Sequence, residues 1–337
     1  MKKKVYLFMI SALLLMVPRV LAQTVSGIIT IDFDLSAHDT EKYVQLWVPY
    51  PVSDEYQNIS HVKITGDYIE MAVYTDRKFR TPMLYASWGE GAKSRKLNFT
   101  FSVERQEVVR RNFPTKEAPW SREDFALYLA PTKLGPIDGE VKKLADKITA
   151  GKTTVLSKAK AVYDWVCENT YRNPKTRGCG PGDVCKLLED PGGKCGDISS
   201  IFIALARAAG VPAKEILGIR QGKNPVQDIT TWQHCWVEFY LPGYGWVPAD
   251  PADVRKMMLK QNLKLSNIKT KEYRDYFWGA IDPYRVKMGE GRDLTLNPSQ
   301  AGEPVNYLMY PYAQVGGKTI DWLDPKTFEY TITYKQL

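Results

Sequence analysis

Histidine is nearly absent: the chain of 337 residues has three, His38, His61 and His234. Chemistry that needs an imidazole therefore has very few places to sit. Cysteine is sparse as well, with five residues, Cys167, Cys179, Cys185, Cys195 and Cys235. Their spacing lacks the close Cys pair of a structural zinc site, so neither a metal nor another cofactor is expected. No G-x-S-x-G run occurs, which excludes the strained serine elbow of many hydrolases. Basic residues are scattered, with Arg110-Arg111 and Lys142-Lys143 the densest pairs, and no basic stripe offers itself to a nucleic acid. The longest apolar stretch, Val5 to Val17, is too short for an integral membrane span. There is no internal repeat and no low-complexity segment.

That apolar stretch has another reading. Lys2, Lys3 and Lys4 precede it and Val20-Leu21-Ala22 follow it, the arrangement of a secretory leader cleaved before Gln23. The protein is therefore expected to be exported, to a periplasmic or extracellular setting. The leader carries four basic residues, Lys2, Lys3, Lys4 and Arg19, and no acid, so the net charge of +8 falls to +4 without it. In an oxidising compartment five cysteines is an odd count, compatible with one free thiol among disulfides. At least one bridge is expected, with Cys167 to Cys185 ranked first because they flank the same loop.

Residues 23–112 read as short alternating strands, such as Val25 to Phe33 and Lys96 to Val103, separated by Gly, Pro, Asn and Asp. This is the pattern of an all-β, sandwich-like domain. A proline-punctuated connector, 113–151, ends in a short amphipathic helix, Gly139 to Thr149. Residues 152–337 then form an α+β unit with a C-terminal β extension. It opens on a helix from about Thr153 to Tyr171, with an apolar stripe at Val155, Ala159, Val162 and Val166.

Within that unit, Gly192-Gly193-Lys194 leads into Cys195 and an apolar helical run that stops at Gly210-Val211-Pro212. A lone cysteine is most often a small buried side chain. At a helix N-terminus, unpaired N–H groups and the helix dipole favour its thiolate. His234 lies in a later strand, and Asp250 closes the next one. Cys, His and Asp on helix, strand and strand suit a thiol acyl-transfer site. Alternation places Trp232, His234, Trp236 and Glu238 on one strand face and Cys235 on the other, away from the nucleophile. If Tyr240 pairs with Trp246, Asp250 shares the His234 face; if Leu241 does, Asp250 faces away unless a bulge intervenes. Asp253 is the reserve candidate. Trp232 and Trp236 are candidates for the wall of a substrate pocket.

The runs Gly193-Lys-Cys195-Gly-Asp-Ile, Trp232-Gln-His234-Cys-Trp-Val-Glu238 and Tyr244-Gly-Trp246-Val-Pro-Ala-Asp250-Pro resemble the core of the transglutaminase-like superfamily, over about residues 153–255. The resemblance implies a papain-like core, with a Cys-bearing helix packed on an antiparallel sheet that carries His and Asp. It implies Cys195 as nucleophile, His234 as base and then acid, and Asp250 as the group that orients the imidazole. The substrate would be a protein or peptide, attacked at a peptide, isopeptide or glutamine amide bond through a thioester. The acidic loop of calcium-activated animal transglutaminases is missing, and hydrolysis is favoured over transfer to an amine. Amine-accepting cross-linking, or a non-catalytic envelope binding module on the same fold, are the alternatives.

Overall fold

The computed structural model describes residues 23–337, and the leader sequence lies outside the described residues. The N-terminal region is a β-sandwich, as the alternating strands require. In Thr24–Asp34 the side chains of Ile29, Ile31 and Phe33 point inward while their neighbours are more exposed. They meet Val44, Leu46 and Val48 of Val44–Pro49, and Phe99 and Phe101 of Lys96–Gln106, in one core between two five-stranded sheets.

The C-terminal extension completes this sandwich. Tyr330–Gln336 pairs antiparallel with Thr24–Asp34, with Ile332 opposite Ile31. Tyr312–Val315 pairs with Val44–Pro49 in the other sheet. The first and last described strands thus share one hydrophobic core, and the second unit is inserted between them.

That unit is α+β. Its four-stranded antiparallel sheet runs in the order Gly245–Ala249, Gln233–Leu241, Ala213–Arg220, Arg285–Glu290. The helix Cys195–Ala208 packs on one face and is buried along its whole length. Cys235, Val237 and Phe239 project from the central strand into the same cluster as Ile198, Ile201 and Phe202 of this helix. Around it lies Val155–Asn169, whose first turn is closed by a reciprocal Thr154–Ser157 capping box. The stripe Val155, Ala159, Val162 and Val166 is buried as its spacing implies. Among the described residues no helix is long and apolar enough to cross a membrane.

Candidate active site

Cys195 is the first residue of its helix, and three local features hold it there. The Asp197 carboxylate turns back to accept the Lys194 N–H at 3.1 Å and the Gly182 N–H at 2.9 Å. The Cys179 carbonyl accepts the Gly196 N–H at 2.7 Å, pressing the 178–182 loop onto the first turn. Gly180 permits this contact: at φ +89° a Cβ would lie 1.9 Å from Asp197 Oδ2. Cys195 is 1% exposed and His234 3%.

The hairpin closes with Tyr240 opposite Trp246 and Val237 opposite Ala249. This is the register that carries Asp250 opposite Trp236 and onto the His234 face. Asp250 also caps the helix Pro251–Lys260, its Oδ1 accepting the Asp253 N–H at 2.8 Å. Its Oδ2 lies 2.7 Å from His234 Nε2. A carboxylate only accepts, so Nε2 carries a proton towards Asp250 and Nδ1 is the ring nitrogen left to exchange one.

Two features of the site were not legible in the sequence. The first is a set of charges behind the imidazole. Arg285, fully buried on the edge strand, donates to Asp250, to Asp253 at 2.8 Å and to Asp282 at 2.9 Å. Arg220 grips Asp253 with two bonds of 2.6 and 2.7 Å. Burial works against the charge on Asp253, but Arg220 and Arg285 hold its carboxyl well below the usual range. Three carboxylates and two guanidinium groups leave one negative charge behind the imidazole. His234, Asp250 and Asp253 lie close enough to suggest a cation site. Their oxygens, however, are already engaged by two guanidinium groups, an arrangement for ion pairing.

The second feature is a trio of sulfurs. The Cys195 thiol is pulled well below its ordinary value, first by hydrogen bonding from Cys179, then from Cys235. These outweigh burial, and the charge of His234 adds to them. Cys179 and Cys235 are pushed well up in turn, Cys179 chiefly by its bond to Cys195 and Cys235 chiefly by burial. Of the three thiols, Cys195 is thus the one whose acidity is raised, while Cys179 and Cys235 hold their protons more tightly. The Cys179 thiol also has Gln233 O within 3.4 Å and receives the Tyr310 hydroxyl at 3.2 Å.

The structure corrects the expectation that Cys235 stays away from the nucleophile. The first turn of the Cys195 helix meets the start of the His234 strand, where both strand faces are within its reach. All five cysteines are free. The expected Cys167–Cys185 bridge is not formed, because Cys167 is buried beside Tyr163 in the helical core while Cys185 faces solvent. Trp232 packs against the sandwich core, and Trp236 is buried with Val108, Ile216 and Ile281. The Trp236 ring lies over Gly218, directly across from His234. The cavity nearest the start of the Cys195 helix is lined by Arg172, Cys179, Lys194, Gln233 and Tyr310 among others, the chain neighbours of Cys195 and His234 rather than those two residues themselves.

A helix-borne thiol, a strand-borne histidine and a buried carboxylate in this order already indicate the fold family. The transglutaminase-like superfamily model matches residues 142–251, a span that contains Cys195, His234 and Asp250. An uncharacterized protein of Haemophilus influenzae is 36% identical over 318 residues, covering 87% of this chain and 86% of that one. The chain belongs to the transglutaminase-like superfamily. A protein-glutamine gamma-glutamyltransferase of Pseudomonas aeruginosa is 29% identical over 110 residues, covering 31% of this chain and 16% of that protein. A solved structure from Cytophaga hutchinsonii, described as a candidate cysteine protease, covers 93% of this chain and 99% of its own. It superposes with a TM-score of 0.56 at 17% identity, and so shares the fold. Within the superfamily, this fold supports cysteine-based chemistry.

Proposed function

We propose that the protein is an exported thiol enzyme that cleaves amide bonds of a protein or peptide through a Cys195 thioester. The observation that carries the reading is the buried His234–Asp250 bond of 2.7 Å behind a thiol whose acidity is strongly raised. The Cys195 thiolate attacks the amide carbonyl carbon, forming the C–S bond. Protonated His234 gives its Nδ1 proton to the leaving amine as the C–N bond breaks. Nδ1 then takes a proton from water as that water attacks the thioester, and the C–S bond breaks to release the acid and restore the thiolate beside protonated His234. Asp250 orients the ring and balances its charge throughout, and Arg285 orients Asp250.

Hydrolysis is the favoured outcome. Transfer to an amine draws on one specific observation. Thr230, Thr231, Pro325 and Tyr330 line both the Cys195 cavity and a neighbouring cavity of about 1140 Å³. There Asp32, Asp34, Asp228 and Glu329 outnumber Lys96 and Lys326, an environment that suits a cationic amine. Incubation with a denatured protein and a fluorescent primary amine separates the two. New chain termini or free ammonia without label mark hydrolysis, and covalent label marks transfer. Neither product, with Cys195→Ala indistinguishable from the native enzyme, would refute both and leave a binding module. Export rests on the leader sequence; cell fractionation should recover a chain that begins at Gln23.

A further inference from the structure

We propose that the cavity beside Cys195 is an anion-binding acyl subsite, so that the substrate carries a free carboxylate close to the scissile carbonyl. The inference rests on the thiol-enzyme reading and names its substrate class. A short parallel ladder pairs Arg172 with Gly193, two residues before the nucleophile. The Asn173 N–H to Gly193 carbonyl bond, at 2.9 Å, locks this pairing. The ladder brings Arg172 into the wall of a cavity of about 270 Å³, together with Lys194 and Gln233. Lys194 directly precedes Cys195, and Gln233 directly precedes His234.

Two polar atoms around this cavity are buried with no partner. Arg172 Nη1 is a donor without an acceptor, and Gln233 Oε1 an acceptor without a donor. Gln233 is 7% exposed, and its Nε2 is already committed to the Thr230 carbonyl at 3.0 Å. A buried guanidinium nitrogen and a buried amide oxygen left unpaired are costly unless a ligand completes them. An acyl donor with a carboxylate and an amide N–H supplies both missing partners. No acidic side chain lines the cavity to neutralise Arg172 and Lys194. The acidic side chains belong to the adjoining larger cavity, so the anion-binding end is the one next to the nucleophile.

Iodoacetate and iodoacetamide test this directly, since they differ only in a carboxylate against a carboxamide. Their second-order rates at Cys195 are read by peptide mapping, and the ratio of the two cancels any common change in thiolate content. Arg172→Gln and Lys194→Gln should each lower the iodoacetate-to-iodoacetamide ratio roughly fivefold at low salt, as expected for loss of one nearby charge. Arg172→Lys should retain the ratio, and high salt should compress the difference. Native-like melting of the Lys194 variant keeps the test open if the Arg172 variant folds poorly. A ratio unchanged in both neutral variants, with Cys195 still selectively alkylated, overturns the subsite alone. Failure of selective alkylation at Cys195 overturns the thiol-enzyme reading and the subsite with it. Protection of Cys195 by α-glutamyl or by γ-glutamyl p-nitroanilide supports a side-chain or a chain-end carboxylate respectively. Protection by neither overturns the assignment.

Discussion

Replacing Arg285 by methionine removes the one side chain that touches Asp250, Asp253 and Asp282 together. The new side chain has a similar length and no charge, so the effect is chiefly electrostatic. Three carboxylates would be left with Arg220 alone, and the local charge would pass from one negative to two. Removing one partner of a buried ion cluster costs about 3–5 kcal/mol. For 337 residues the unfolding entropy is about 0.7 kcal/mol/K, so a loss of ~4 kcal/mol lowers Tm by roughly 6 °C. The loss should depend on pH with a definite sign. In the native protein the Asp253 carboxyl is held low despite burial. It therefore stabilises the fold above the unfolded carboxyl value of ~3.9, and that contribution disappears as pH falls through the folded value. In the variant the carboxyls titrate higher, and protonation relieves their repulsion. The gap in Tm between native and variant should thus be widest near pH 7 and narrow towards pH 4. Thermal denaturation followed by circular dichroism across that range measures it. A gap below about 1.5 °C, or one constant with pH, would refute the account of Arg285 as the counter-charge of this cluster.

Three further outcomes follow from the site. Cys179→Ala removes the neighbour that does most to lower the Cys195 thiol. The pH midpoint of Cys195 alkylation should rise by about one to two units, as for loss of a hydrogen bond of ~1.5–3 kcal/mol to a charged group. Cys235→Ala should raise it less, and an unmoved midpoint in both would show that the trio does not share the charge. Trp236→Ala empties a buried position against Val108, Ile216 and Ile281. It should cost about 3–5 kcal/mol of stability by denaturant titration; a native stability with collapsed turnover would instead make Trp236 part of the substrate pocket. Gly180→Ala drives a Cβ into the Asp197 carboxylate at a backbone angle that favours glycine. It should destabilise the chain by about 2 kcal/mol or more and slow Cys195 alkylation, and an alanine tolerated without either change would contradict the packing of the 178–182 loop.

Most of the fold class and the three candidate catalytic positions were legible because each rests on local chemistry. Cys195 stands where a Gly-rich bend becomes an apolar helix, and His234 stands in an alternating strand. Asp250 precedes Pro251, which places it both at a strand end and at a helix N-cap. What failed was the use of alternation to keep Cys235 away from Cys195. Strand faces separate side chains along a strand's length, but a helix that arrives at its first residues reaches both.

The sequence by itself determined the elements: strand alternation, the helix start at Cys195, and a hairpin whose turn residues allow only a few closures. These depend on neighbours a few positions away, where backbone geometry alone relates residue to residue. Tertiary structure decided everything that depends on distant segments meeting. It selected the Tyr240–Trp246 register, and it brought Tyr330–Gln336 back to complete the sandwich begun at Thr24. It set Arg285 against Asp250, 35 positions away, and Cys179 against Cys195. No local pattern marks such residues, because a buried charge or thiol is defined by what packs around it, and that is settled only when the sheet, the helix and the loop close on one another.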